Sequence, residues 1–172
     1  MQTHSDIKLS RHPRTGVRRL RAGMVKTLAM ANALDNGAPT IQLDFVTAGI
    51  PAIDFRMTPW QAIDMYQYLS LPYDDFCWSQ SIQADLTAAP AHRRAIACGP
   101  EETIQVVIDR AGVPTFTINF EKGAPIPAVE FTLPVPFALA LMAGIEASAQ
   151  EFRWIELLQA AAAEQHSSPT KH

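Results

Sequence analysis

A strand-turn-strand pattern that occurs twice is the feature of this sequence that most constrains its fold. Residues 40–55 read TIQLDFVTAGIPAIDF, and residues 103–118 read TIQVVIDRAGVPTFTI. Six of the sixteen positions are identical, and half of the others exchange one apolar residue for another. Apolar and polar residues alternate on both sides of a short turn that contains Gly and Pro. This alternation predicts two β-hairpins, each with one buried face.

Each predicted hairpin leads to a helical pattern that begins with proline. TPWQAIDMYQYL (58–69) follows the first hairpin, whereas a further strand over 129–133 and then PVPFALALMAGIEASAQEF (134–152) follow the second. Proline is well tolerated in the first helical turn because its missing N–H would be unpaired there. Neither hairpin could bury its apolar face alone. We therefore predict an α+β fold in which an antiparallel sheet, built from two hairpin-plus-helix units, is covered on one face by helices.

The two units span about 40–70 and 103–152, and the sequence leaves two explanations for them open. They are either an internal duplication or two similar units of separate origin. Two short stretches between them, FCWSQSIQADL and RRAIAC, are further strand candidates, and with both the sheet has about seven strands.

The ends of the chain predict two more helices and two loose segments. Apolar residues recur at helical spacing after Thr15, which predicts a basic N-terminal helix from about Gly16; these are Val17, Leu20, Met24, Leu28 and Ala31. The C-terminal pattern predicts one long helix that ends near Gln165. We expect a flexible basic arm over 1–14, a single domain over 15–165 and a disordered tail over 166–172.

The charge distribution is strongly uneven, although the net charge is only −3. Residues 1–26 hold seven of the fourteen basic residues and one acid, Asp6, whereas the rest of the chain is acidic. A basic segment on an acidic body is typical of contact with a polyanion, because arginine binds phosphate groups in a bidentate manner. The predicted nucleic-acid-binding residues are Arg11, Arg14, Arg18, Arg19, Arg21 and Lys26. A solvated face, or docking on the acidic body, is the alternative explanation.

A second candidate surface lies among the aromatic residues of 60–78. Tyr73, Phe76 and Trp78 flank the pair Asp74-Asp75, and we predict that they form an exposed partner-binding loop. Packing in the core is the alternative. The outer face of the sheet is predicted to be polar and free of aromatic residues, with more acids than bases; it comprises Gln42, Asp44, Asp54, Arg56, Gln105, Val107, Asp109, Thr115, Thr117, Asn119, Glu130 and Thr132.

No catalytic, cofactor or metal signature is visible. The histidines have no metal-ligand spacing, no Gly-rich phosphate loop is present, and Cys98 has the surroundings of a buried cysteine rather than a nucleophile. Cys77 and Cys98 form no CxxC pair, which favours a reduced protein, with a single disulfide as the alternative. The N-terminus lacks an apolar signal segment, and no apolar stretch is long enough to span a bilayer. We therefore expect a cytoplasmic protein that has no cofactor, binds no metal and is not an enzyme.

Together these features predict a non-catalytic binding protein. A nucleic-acid-binding protein that uses the Arg-rich segment is the first hypothesis, with single-stranded DNA as one candidate ligand. The alternative is a protein–protein interaction module, such as an adaptor, a chaperone or an inhibitor, that uses the acidic sheet face and the aromatic loop. An apolar stripe on the C-terminal helix also predicts a homodimer; it comprises Leu139, Met142, Ile145, Ala149, Phe152 and Ile155.

Overall fold

The computed structural model describes residues 7–76, 78 and 94–167, and within them the chain is a mixed α+β protein. This part of the chain forms seven strands and three helices. In chain order they are β1 (Ser10–Arg11), β2 (Arg18–Asn32), β3 (Pro39–Phe45), β4 (Ala52–Arg56), α1 (Pro59–Asp75), β5 (Ala95–Ile108), β6 (Pro114–Phe120), β7 (Ala128–Thr132), α2 (Val135–Glu151) and α3 (Trp154–Ser167). No helix within these residues is long and apolar enough to cross a membrane.

The sheet closes on itself. Its strands follow one another in chain order from β1 to β7, and β2 pairs with β7 as well as with β3. The pairs β4–β5 and β2–β7 are parallel, and the other neighbours are antiparallel. The α+β class is thus confirmed, but the expectation of a purely antiparallel sheet is wrong. Closure lets the ring bury its own apolar face and removes the free edges that an open sheet would expose.

Two long strands bend so that each one serves two neighbours. Residues 20–24 of β2 pair with β7, and residues 25–32 pair with β3. Residues 95–100 of β5 pair with β4, and residues 101–108 pair with β6. Gly23 (φ 77°) and Gly99 (φ 78°) lie at the two changes of partner, where the register shifts. Glycine adopts this left-handed conformation without steric cost, so a bulge can turn the strand there.

The prediction of an N-terminal helix is wrong, because residues 18–32 form strand β2. The buried apolar side chains from Leu20 to Leu28 are Leu20, Ala22, Val25 and Leu28, spaced by two, three and three residues. Two register shifts, one before Gly23 and one after Val25, each insert an extra residue into the alternation. The bulges break the two-residue alternation that would have indicated a strand. Three of the five residues behind the helix prediction, Val17, Met24 and Ala31, are exposed.

Three strands followed by a helix occur twice in the order of elements. β2, β3, β4 and α1 form the first unit, and β5, β6, β7 and α2 form the second. Corresponding residues lie 75 or 76 positions apart, as Pro39 and Pro114 do at the starts of β3 and β6. The offset of 63 matches β3–β4 with β5–β6, which made β7 look like an addition. At the offset of 75 or 76, β7 corresponds to β4. The first unit lacked a strand in the prediction because β2 was predicted as a helix.

Helix α1 begins as the sequence predicts, although it extends further. Thr58 caps its N-terminus: the hydroxyl of Thr58 accepts the Gln61 N–H at 3.1 Å, and Oε1 of Gln61 accepts the Thr58 N–H at 2.7 Å. The helix continues through Pro72 to Asp75 instead of ending at Leu69.

The C-terminal segment is two helices rather than one long helix. Helix α2 ends at Glu151, Arg153 adopts a left-handed conformation (φ 53°), and α3 begins at Trp154. Trp154 is fully buried, and its Nε1 donates a hydrogen bond to the Asn36 carbonyl at 2.9 Å. Anchoring this indole under the β2–β3 turn requires the chain to leave the axis of α2.

One hydrophobic core joins the inner face of the closed sheet to the buried faces of α1 and α2. Phe116 and Ile118 of β6 contribute from the sheet, and Met65 and Leu69 contribute from α1. The strand expected at RRAIAC and the one expected after the GPEE sequence are a single strand, β5. Most of the strand proposed at FCWSQSIQADL, the first part of the arm and the last part of the tail lie outside the described residues, whereas residues 166 and 167 end α3.

Candidate functional site

The Arg-rich segment forms a β-hairpin, which we call the basic hairpin (residues 8–21). Ser10 is opposite Arg19 and Arg11 is opposite Arg18, and the His12 N–H donates to the Val17 carbonyl at 2.9 Å. Every residue from 13 to 18 is exposed. The end of the hairpin therefore stands clear of the closed sheet, and its side chains are available to a ligand.

The turn of this hairpin is held by its own side chains. Nδ1 of His12 accepts the backbone N–H groups of Arg14 and Thr15, at 3.2 and 3.1 Å. The Gly16 N–H donates to the His12 carbonyl at 2.9 Å, and Gly16 adopts a φ of 67°. This turn was not predicted from the sequence, although His12, Pro13 and Gly16 are a visible signal for it. The contacts fix the backbone position of Arg14 at the end of the hairpin.

Five of the six predicted nucleic-acid-binding residues are exposed. Arg11, Arg14 and Arg18 surround the turn, and Arg21 lies at the base of the hairpin with 59% of its side chain exposed. Lys26 is also exposed, but it lies beyond the hairpin at the second bulge of β2. The exposed Lys8 adds a further cation, and the sequence has no acidic residue from position 7 to position 34. Positive charge is thus concentrated in one small volume.

Arg19 is the exception among these residues. Only 9% of its side chain is exposed, and its Nη1 lies 2.7 Å from Oε2 of Glu130 on β7. Nε of Arg21 lies 3.7 Å from the other carboxylate oxygen. Within the described part of the chain, Nε of Arg19 is buried and has no hydrogen-bond partner. Arg19 therefore neutralises Glu130 beneath the hairpin and is not available to a phosphate.

The predicted outer face of the sheet is confirmed, since none of its residues is buried. Each half carries two acids, and the first half also carries Arg56. In the first unit, Thr27 donates to Asp44 at 2.6 Å and Gln42 donates to Asp54 at 3.5 Å, so two carboxylates lie on this half. In the second unit, Asn119 donates to the Thr103 hydroxyl at 2.8 Å. The one acid on strands β6 and β7, Glu130, is the partner of Arg19.

The three aromatic residues of the predicted partner-binding loop do not form an exposed group. Trp78 is 2% exposed, and Tyr73 is half-buried against the core. Phe76 keeps part of its ring exposed but rests on the Gly112 backbone. The structure places Tyr73 and Trp78 in the core environment that was the alternative explanation.

A different apolar surface lies on α1. Trp60, Tyr68 and Leu71 are exposed, with Trp60 at 59% and Leu71 at 69%. Their spacing of eight and three residues places them on one face of the helix. The sequence predicts a helix over most of this segment, but the exposed stripe was not predicted, although the spacing of its residues is the signal for it.

Two buried ionisable groups have strongly shifted pKa values. Glu101 is 4% exposed; burial, with a smaller contribution from the charge of Asp64, raises its pKa to about 7. Burial, and then the charge of Asp54, raises the pKa of the Cys98 thiol to about 12. Such a thiol stays protonated at neutral pH and is a poor nucleophile. Cys77 lies outside the described residues, so the alternative of a disulfide stays untested.

The described residues contain no group of His, Cys, Asp and Glu side chains that could hold a metal ion. The arrangement with a clear chemical capacity is the basic hairpin, which can attract and hold a polyanion. The chain matches no protein-family model, no curated protein and no solved structure, so these comparisons assign it to no family.

Proposed function

We propose that the protein is a non-catalytic nucleic-acid-binding protein and that the basic hairpin is its contact surface. The carrying observation is the exposure of Arg11, Arg14 and Arg18 around one turn whose backbone is held by His12. A guanidinium donates two parallel hydrogen bonds to a phosphate, and a fixed backbone lowers the entropy lost on binding.

The ion pair at the base of the hairpin supports this function. Glu130 is the acid that lies against Arg19 and Arg21, and an unpaired carboxylate there would repel a phosphate backbone. Arg19 neutralises it from a buried position, which leaves the exposed arginines free to interact with a ligand. In this proposal Arg19 removes the repulsion from Glu130, and the exposed arginines contact the phosphates.

The test is a triple substitution in the hairpin, Arg11→Ala with Arg14→Ala and Arg18→Ala. The matched control replaces Arg56, Arg94 and Arg110, which are exposed, lie outside the hairpin and remove the same total charge. Binding is measured by fluorescence anisotropy with labelled oligonucleotides at several salt concentrations. Each lost phosphate contact lowers the salt slope by about one unit, so we expect the hairpin variant to lose about 100-fold in affinity at low salt and the control to lose less than about threefold.

Circular dichroism and thermal melting of both variants show whether they remain folded. Equal losses in the hairpin variant and the control would mean that binding depends only on net charge, which contradicts a defined site. Binding by the folded hairpin variant at the wild-type level would overturn the proposal. Arg19 is left out of this test because its removal disturbs the fold as well as the charge.

The second candidate function is a protein–protein interaction module. The observation that favours it is the exposed face of Trp60, Tyr68 and Leu71 on α1, because aromatic residues are frequent anchors of protein interfaces. Affinity purification with wild type, with Trp60→Ser/Leu71→Ser and with the hairpin triple variant separates the two functions. A protein partner lost only with the α1 variant supports this candidate.

We also propose that the protein forms a homodimer, although fewer residues of the predicted stripe are available for it. Leu139, Met142 and Ile145 of the predicted dimer stripe are buried within the chain itself. The exposed apolar residues that could pair with a second copy are Ile155 and Leu157 on α3. Light scattering coupled to size-exclusion chromatography measures the mass of the particle in solution. A monomer at about 100 micromolar would overturn the proposed dimer.

We also propose that the two units arose by duplication of one ancestral unit. Identical residues recur at an offset of 75 or 76 in equivalent positions of both units; they include Gly23 and Gly99, Pro39 and Pro114, Phe45 and Phe120, Phe55 and Phe131, Phe76 and Phe152, and Trp78 and Trp154. Relatives of this chain should show self-similarity at this offset. A set of relatives in which the similarity disappears would contradict the duplication.

A further inference from the structure

We propose that the basic hairpin inserts into the major groove of B-form duplex DNA. This inference rests on the proposed function, since it names the nucleic acid that the hairpin would bind. It also differs from the expectation of single-stranded DNA that the sequence suggested.

The size of the hairpin fits this groove. Two paired strands lie about 4.8 Å apart, and the major groove of B-form DNA, about 12 Å wide, accepts a two-stranded ribbon with its side chains. Residues 13–18 are all exposed, so the end of the hairpin can enter the groove before the closed sheet meets the phosphate backbone.

The arginines of the hairpin lie on both of its faces. Arg11 and Arg18 are directly opposite each other, so their side chains lie on one face. Arg21 lies on the other face, as its contact with Glu130, the partner of Arg19, shows. A ribbon in the groove has a phosphate backbone on each side. This arrangement therefore presents cations to both strands of a duplex, whereas a single strand would meet only one face.

Arg14 occupies the end of the hairpin, where the ribbon would face the base edges. The hydrogen bonds to His12 and the turn at Gly16 hold its backbone there. Arginine recognises guanine by donating to O6 and N7, both of which are exposed in the major groove. We therefore assign Arg14 a contact with guanine and assign Arg11, Arg18 and Arg21 contacts with phosphates.

The region around the hairpin lacks the side chains that bind single-stranded nucleic acids, and double-stranded RNA has the wrong groove shape. Binding of unpaired bases relies on aromatic side chains for stacking, but the first 44 residues contain no Phe, Tyr or Trp. The neighbouring sheet face carries polar residues such as Thr115, Thr117 and Thr132. The major groove of A-form RNA is too narrow and deep for protein side chains to read. B-form DNA is the nucleic acid that fits all three observations.

The experiment compares three labelled probes of one sequence: a DNA duplex, its single strand and the matching RNA duplex. Each probe is about 20 nucleotides long, which is enough for one binding site. The full chain is titrated between about 50 and 200 mM salt. We expect the DNA duplex to bind about tenfold more tightly than either other probe. Three phosphate-contacting arginines give a logarithmic salt slope of about −3, which means a loss of roughly 50-fold across this range.

A second DNA duplex with 7-deazaguanine in place of guanine removes the N7 acceptor and leaves the phosphates unchanged. We expect about tenfold weaker binding by wild type and equal binding of both duplexes by Arg14→Ala. Tighter binding of the single strand or of the RNA duplex, or no effect of 7-deazaguanine on wild type, would overturn the groove assignment but leave nucleic-acid binding intact. No binding of any probe at low salt would overturn the proposed function itself.

Discussion

The two units share one backbone plan but differ in charge at the start of their first strands. β2 begins with Arg18-Arg19-Leu20-Arg21. At the corresponding positions the second unit has Arg94, which directly precedes β5, and then Ala95-Ile96-Ala97. The positions of Arg19 and Arg21 are therefore alanines in the second unit, and both strands still form. The strand does not require arginine at these positions, so the charge of the first unit is tied to the contact with Glu130 rather than to the backbone plan.

The same comparison shows how the units are held together. Phe76 at the end of α1 rests on Gly112 in the β5–β6 turn, and Phe152 at the end of α2 rests on Gly37 in the β2–β3 turn. Each helix thus packs its last aromatic residue on the hairpin turn of the other unit. These two contacts are reciprocal, and they lock the units to each other at both ends of the core.

Replacing either turn glycine should give the largest change in stability. A Cβ at Gly37 would lie 2.2 Å from the Phe152 ring, and one at Gly112 would lie 2.4 Å from the Phe76 ring. Both glycines also have positive φ, of 72° and 82°. Overpacking and backbone strain together should lower the free energy of unfolding by about 4 kcal/mol in Gly37→Ala and in Gly112→Ala, measured by chemical denaturation.

Gly49→Ala is the control for this pair, because Gly49 has a similar φ of 83° and nothing within 4 Å of its added Cβ. It should lose only about 1 kcal/mol, the cost of the strained backbone alone. Similar losses in all three variants would remove the packing contribution. A large loss at only one turn would show that the two contacts are not equivalent.

The next prediction concerns a position where one unit buries an apolar residue and the other buries an acid. Val25 of β2 corresponds to Glu101 of β5, at the same offset of 76. Burial raises the pKa of Glu101 to about 7, from the ordinary value of 4.5 for a glutamate. Between these values the folded protein holds a proton that the unfolded chain releases. The free energy of unfolding should therefore fall as the pH rises from about 4.5 to about 7, by up to about 3 kcal/mol.

Glu101→Gln removes the titrating group and keeps the shape of the side chain. Its free energy of unfolding should lack this decrease, so the variant should gain on wild type from pH 5 to pH 8. Urea denaturation at several pH values measures both proteins, with Glu102→Gln as the exposed neighbouring control. Parallel pH profiles for wild type and Glu101→Gln would contradict a proton held by Glu101.

A comparison of two adjacent arginines should give a smaller effect on stability. Arg19→Ala leaves Glu130 without its closest cation, and Arg21 remains at 3.7 Å. We expect a loss of about 2 kcal/mol, below the range for fully buried pairs because a quarter of the Glu130 side chain is exposed. Arg18→Ala, with the same change of charge, should leave thermal stability nearly unchanged. Equal melting temperatures for the two variants would mean that the ion pair contributes nothing.

How far the sequence predicted this fold depended on whether local alternation was intact. Strands β3, β4 and β6 alternate without interruption, and β7 alternates from Val129 onwards; the sequence located each of them within about two residues. β2 was missed because its bulges break the alternation. The parallel pairs that close the sheet were not predictable, since no local pattern specifies which distant strands become neighbours.

The candidate site was predictable to a similar degree. The density of arginine identified the segment, and charged side chains are normally exposed. The burial of Arg19 was not predictable, because it depends on Glu130 in the other unit. Trp78 was placed in a loop because the signal for its burial is the correspondence with Trp154, which an offset of 63 does not reveal.

These two tryptophans provide the smallest expected difference between the units. Both are buried, but Trp154 donates to the Asn36 carbonyl, whereas Nε1 of Trp78 has no partner within the described residues. Trp154→Phe and Trp78→Phe remove the same atoms from similar positions. Trp154→Phe should cost about 1 kcal/mol more, because it alone breaks a hydrogen bond and leaves a carbonyl unpaired. Chemical denaturation of both variants measures this difference, and an equal cost would mean that the two indoles are held in the same way despite their different contacts.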